Sequence, residues 1–115
     1  MIKTKSIFEP PETSDGKRIL ITYTWPKNLM SDSIDSWIKE LGHPWELVNN
    51  WPKARISPLE FKEEYLKILA QPSNQYFLQT LAKQANEQSI TLLCTCKIAD
   101  QCHRTILKDW LEGNL

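Results

Sequence analysis

The sequence predicts a small α/β domain spanning residues 1–115, with a short, mostly parallel sheet flanked by helices in Rossmann-like layers. Three observations predict it. Strand-like runs at 18–24 and 89–94 are separated by long helical segments, which points to parallel pairing through crossovers. The run "SITLLC" at 89–94 is almost wholly apolar, the pattern of a central strand buried on both faces. A chain of 115 residues with 41% apolar content and five Trp sustains one core and not two.

The elements follow in order. "KTKSIF" at 3–8 reads as an edge strand. "EPPETSDGK" is a loop, because Pro10 and Pro11 donate nothing to a ladder and Asp15-Gly16 is a turn dipeptide. "RILITYT" at 18–24 is a β-rich run closed by Pro26. "SDSIDSWIKELG" at 31–42 predicts a helix, since Ile34, Trp37, Ile38 and Leu41 recur at one-face spacing. Ser31 or Ser33 would cap its start, and Gly42 suits a left-handed position after its end. "HPWELVNNW" reads as a helical turn or loop with Trp45, Val48 and Trp51 inward.

The next helix carries its own punctuation. Ser57 is the cap, Pro58 fits the first turn, Glu60 completes a capping box and Pro72 stops the run. "SNQYFLQTLAKQAN" is a further helix with Phe77, Leu81 and Ala85 on one face. After the strand 89–94, "CHRTILKDWLEG" forms the last helix, with Leu107, Trp110 and Leu111 as its apolar face. Asp100 would cap it and Gly113 would close it.

Charge and composition exclude some functions. Fourteen basic and fourteen acidic residues cancel, which argues against nucleic acid as a partner. No segment has the roughly 20 apolar residues of a membrane helix, and the opening has no uninterrupted apolar stretch of a signal peptide. A cytoplasmic location is expected. Three cysteines bunched within nine residues suit reduced thiols better than a disulfide framework.

The chemistry concentrates in "LLCTCKIADQCHRTIL". Ligands of open α/β sheets bind outside the carboxyl ends of strands, and Cys94 stands at such an end. Cys102, His103 and Arg104 open the next helix, whose N-terminus favours anions. Arg104 offers a planar cationic fork for phosphate or carboxylate, and the same field favours a thiolate. His103 is a candidate for proton transfer. Cys94, Cys102, His103 and Arg104 are therefore the candidate catalytic residues, with an anionic small molecule or nucleotide as the partner.

Other readings of the same residues stand beside this one. Cys94 could be a buried small hydrophobe. The phosphatase loop closes a shorter span than the eight positions from Cys96 to Arg104 or the ten from Cys94, so that chemistry is not expected. Cys94, Cys96, Cys102 and His103 are of zinc-ligand type, but adjacent Cys102 and His103 converge poorly on one tetrahedral ion. No metal is assigned, and no motif calls for a cofactor.

Three stretches together, "SIFEPPETSDGKRILITYTWPKN", "DSWIKELG" and "ITLLCTCKIADQCHRTIL", resemble the DUF488 family of small bacterial and archaeal proteins. The first two resemble its YeaO-like branch, and the resemblance covers most of the chain. It implies a compact α/β domain and brings no settled reaction. It also implies a pocket near the first strong strand, with Asp15, Arg18, Trp25 and Lys27 as candidate substrate-binding residues. As plain structure, Asp15 would serve the turn, Arg18 and Lys27 would be solvated, and Trp25 would be core. The family pattern ends that strand in Asp-Arg before Trp-Pro. Here the positions read Tyr23 and Thr24, so the strand-end arginine is missing. Trp37, Lys39 and Glu40 match the family's W-x-K-E-L helix, with Trp37 expected in the core and the two charges solvated.

The favoured reading is an enzyme, or an enzyme-derived domain, acting at the Cys-His-Arg junction. The alternatives are a non-catalytic module for nucleic acid or protein, using exposed Trp as a stacking surface, and a zinc-stabilised domain.

Overall fold

The structure is a computed structural model, and it describes residues 1–42, 57–95 and 103–113. Four strands, β1 (Ile2–Ser6), β2 (Lys17–Leu20), β3 (Ser36–Trp37) and β4 (Ile90–Cys94), form one sheet in the order β1-β4-β2-β3. Every described pairing is parallel. Among the described residues three α-helices accompany it: α1 (Pro58–Leu69), α2 (Gln75–Glu87) and α3 (His103–Glu112). The α/β class and the parallel sheet are those read from the sequence.

The apolar run 90–94 forms the central strand, as its composition predicts. β4 pairs with β1 on one side and β2 on the other, and all five of its residues are buried. Alternation along a strand sends Ile90, Leu92 and Cys94 to one face and Thr91 and Leu93 to the other. Ile90 and Leu92 pack with Ile19 and Ile21 against Tyr65 and Leu69 of α1, Leu78 and Leu81 of α2, and Leu107 and Leu111 of α3. All three described helices therefore share this face. Ser57 Oγ accepts from the Glu60 N–H (3.1 Å), which caps α1 as its sequence predicts. Leu78, rather than Phe77, is the fully buried companion of Leu81 and Ala85 on α2.

Among the described residues, the chain of residues 7–16 covers the opposite face, and it does so with charge. Lys3 and Lys5 sit two apart on β1 and so project together. Both reach the buried Asp15 carboxylate, at 3.0 and 2.9 Å, and Arg18 of β2 forms a further ion pair with it. The Glu12 N–H donates to the same group (3.1 Å), and Thr91 of β4 donates its hydroxyl to the Asp15 carbonyl (2.7 Å). One acidic residue thus ties the loop to three strands. Burial alone would raise the Asp15 carboxyl. Hydrogen bonds from Lys5, Lys3, the Glu12 amide and Arg18 outweigh it and hold the group well below the usual carboxylate range. Hydrogen bonds to Asp15 and Glu12 in turn raise Lys5. Gly16 closes the loop at φ +63°, and a Cβ there would lie 2.1 Å from the Ser89 carbonyl oxygen.

The sequence expectation fails at 31–42. This stretch is not a helix. It is a 3-10 turn (Ser31–Ser33), the short strand β3 and a second 3-10 turn (Lys39–Leu41). The reason is the open edge of β2. The Asp35 N–H donates to Arg18 O and the Ile38 N–H to Leu20 O, each at 2.9 Å, while Asp35 Oδ2 accepts the Arg18 N–H (2.8 Å). Sheet pairing wins over helical periodicity, which is a weak preference. Trp37 is consequently 42% exposed rather than in the core, with its indole N–H donating to Thr22 O (2.8 Å). Gly42 is extended (φ −79°), not left-handed. Its need for glycine is one of space, because a Cβ would meet Tyr23 N at 2.2 Å. β2 also ends at Leu20, before the predicted Thr24. The expectations for 43–51, Cys96, Asp100 and Cys102 fall outside the described residues.

Asp15→Asn removes the only negative charge that Lys3 and Arg18 share among the described pairs. It should destabilise the chain by roughly 3–5 kcal/mol, since breaking a buried pair strands its cations. The pH profile checks the mechanism. A depressed Asp15 stabilises fully above its ordinary value, near about pH 4, and the contribution fades as acid protonates it. A raised Lys5 stabilises below about pH 10 and loses that contribution as it deprotonates. Urea unfolding should show a plateau between these limits in the wild type and a flattened acid limb in Asp15→Asn.

Candidate functional site

The carboxyl edge of the sheet is built around the last residue of β4. Ser6 of β1 is the register partner of Cys94, and the Ile7 N–H donates to the Cys94 carbonyl (2.9 Å). On the other flank, the Ile21 N–H donates to Leu93 O (3.0 Å). Cys94 is therefore held between two strands with its thiol on the helix-bearing face. The residue is fully buried.

Helix α3 starts above this point and packs against β1 and β4. Its first turn carries no acidic side chain, and its first two residues are His103 and Arg104. Arg104 Nη1 donates to Cys94 Sγ at 3.3 Å. His103 Nε2 lies 2.6 Å from the Ile21 carbonyl, so Nε2 carries the proton of this contact. The His103 ring meets the Tyr65 ring edge-on at 5.2 Å, and the Tyr65 hydroxyl donates to Leu41 O (2.6 Å). His103 and Arg104 are only 2% and 3% exposed. A cation at the positive end of a helix is unfavourable unless negative charge accompanies it. A thiol at hydrogen-bond distance is a group that can supply that charge.

The structure divides the eight candidate residues into three groups. Cys94, His103 and Arg104 come together at the strand–helix junction, and Cys102 lies outside the described residues. Asp15 and Arg18 are on the other face of the sheet, locked in the buried ion cluster, so Arg18 is not the solvated charge that plain structure suggested. Trp25 and Lys27 stand in the loop after β2. Trp25 is half-buried, edge-on to Trp37 at 5.3 Å, and donates its indole N–H to Leu29 O (3.2 Å). Lys27 is exposed. Among the described residues no group of three His, Cys, Asp or Glu is arranged to hold a metal ion, and no helix is long and apolar enough to cross a membrane.

The family model DUF488-N3a, described as the active DUF488-N3 subclade, matches residues 2–115. The chain belongs to the DUF488 family. It is also 35% identical over 114 residues to the uncharacterized protein YeaO of Escherichia coli (strain K12), covering 97% of each chain. No solved structure matches.

Three residues with buried polar contacts were not among the sequence candidates: Tyr65 at the junction, and Lys3 and Lys5 on the opposite face of the sheet. Tyr65 lies on the apolar stripe Phe61–Tyr65–Leu69 of α1, where a lone polar tip hinted at a buried acceptor. Lys3 and Lys5 recur at strand spacing beside an acidic loop, a pattern of inward charge rather than of a solvated edge. His103→Ala removes both the donor to Ile21 O and the ring against Tyr65. Thermal or urea unfolding should show a loss of about 2–4 kcal/mol, from an orphaned buried carbonyl plus the cavity. Tyr65→Phe should cost about 1–2 kcal/mol through the lost hydrogen bond to Leu41 O.

Proposed function

We propose that this DUF488 chain is an enzyme that binds an anionic small molecule or nucleotide at the carboxyl end of β4 and acts through a cysteine thiolate. One observation carries the reading: the Arg104 guanidinium donates to the Cys94 thiol, buried, in the first turn of a helix that follows the central strand. A guanidinium and a helix N-terminus both favour the thiolate form, and the thiolate is the nucleophile. The family description, an active subclade, supports an enzyme over a purely structural pair.

The roles divide by chemistry. Arg104 stabilises negative charge, first on sulfur and then on an anionic substrate. His103 is committed to Ile21 O through Nε2, so any proton transfer runs through Nδ1. Cys102 precedes His103 in sequence and is the second candidate nucleophile. The missing strand-end arginine of the family pattern makes Arg104 the cation on which anion binding rests here.

Alkylation of the native protein with iodoacetamide across pH, read peptide by peptide by mass spectrometry, tests this. Cys94 should react with a midpoint below the ordinary thiol value of about 8.5. Arg104→Ala should move that midpoint up by about 1 unit or more. Inorganic phosphate should slow the wild-type reaction. A Cys94 that stays inert until the protein unfolds, with or without Arg104, makes the pair a structural one and ends the proposal.

A further inference from the structure

Cys94 has a neighbour on each flank of its strand. On the β2 side it is Ile21, one residue past the pair Leu20 and Leu93, and its side chain is apolar. On the β1 side it is Ser6, the register partner of Cys94. Alternation along β1 puts Ser6 on the face of Ile2, a member of the helix-side core, and opposite Lys3 and Lys5. The Ser6 hydroxyl and the Cys94 thiol therefore share one face, with their strands about 4.8 Å apart. Helix α3 packs on both β1 and β4, and its Arg104 reaches the thiol.

Ser6 is 4% exposed and its backbone is fixed on both sides. Its N–H donates to Glu9 Oε2 (2.8 Å), and its carbonyl accepts the Glu9 N–H (3.0 Å). Its Oγ accepts the Phe8 N–H (3.3 Å). A hydroxyl that accepts in this way keeps its own proton to donate. Phe8, two residues on, is 65% exposed, whereas Ile21 and Thr22 on the other flank are fully buried. The β1 side of the thiol is the side that nears solvent. An atom seated above the gap between Ser6 and Cys94 lies about 3 Å from both, which is what a nucleophile and an oxyanion donor require of a reacting group.

We propose that Ser6 is a binding residue of this site. Its hydroxyl donates to an oxyanion that Arg104 holds on the β1 side of Cys94, so the substrate carries a phosphate or carboxylate whose oxygens bridge the two donors. The inference rests on the reading above that an anion binds beside Cys94.

Calorimetric titration of the full chain with inorganic phosphate tests it. Phosphate should bind the wild type, and Ser6→Ala should weaken binding by about 10-fold, the loss of one hydrogen bond to a charged group. Ser6→Thr, which keeps both the donor and the acceptor for Phe8, should restore most of that factor. Ser6→Ala should leave the pH midpoint of Cys94 alkylation in place, because the hydroxyl serves the anion and not the sulfur. Acetate binding with the same dependence on Ser6 also supports the proposal and makes the oxyanion a carboxylate. Phosphate affinity that falls in Arg104→Ala but is equal in the wild type and Ser6→Ala overturns the role of Ser6 and leaves the anion site standing. Oxyanion binding that depends on Ser6 in a protein whose Cys94 is inert supports the role of Ser6 and ends the thiolate chemistry. If neither oxyanion binds, the role of Ser6 is overturned, and Cys94 alkylation alone decides the earlier reading.

Discussion

Everything in this fold hangs on β4. It pairs with β1 on one side and β2 on the other, and both pairings are parallel. Parallel neighbours cannot be joined by tight turns, so the chain must leave the sheet and return between strands. Those excursions supply the helices on one face and the loop 7–16 on the other. The same strand ends in Cys94, so the element that sets the architecture also fixes where the thiol sits. Because register is held from both flanks, the thiol cannot slip without breaking two ladders.

The two faces of the sheet are covered by different physics. The helix-bearing face buries aliphatic side chains and Tyr65, where area removed from water is the driving term. The loop-bearing face buries Lys5, Asp15 and Arg18, and there the ions must satisfy one another. Desolvating such a cluster is expensive, and apolar residues of similar volume would hold the sheet as well or better. What the cluster adds is geometry. A ten-residue loop without an α-helix gains a defined path only if something fixes it, and Asp15 fixes it to β1, β2 and β4 at once. The two Lys on β1 also point inward rather than along an open edge, which leaves that edge strand bound to its own loop.

The sequence was most legible where one force dominated. The all-apolar run at 90–94 could only be a central strand, and α1 announced itself through Ser57 and Pro58 at its start. The stretch 31–42 misled because its apolar spacing suits a helix while its backbone answers a different demand, the unpaired edge of β2. No local pattern encodes that demand. Asp15 and Arg18 lie on the face of the sheet away from Cys94, and nothing in the chain order says so. The partnership of Cys94 with Arg104 was legible as a strand–loop–helix adjacency, whereas the contact of His103 with Ile21 and Tyr65 depends on how α1 and α3 pack.

The burial of the junction constrains the proposed chemistry more than its residue types do. A thiol with a guanidinium at 3.3 Å is poised as a nucleophile only if a substrate atom can come within reach of sulfur. Both partners are almost wholly covered, at the level where the chain leaves β2 through Ile21 and Thr22. That exit is held on both sides, by His103 at Ile21 O and by Trp37 at Thr22 O. For the proposed reaction, burial of Cys94 and Arg104 would help rather than hinder: low local polarity strengthens every charge contact that an anion makes.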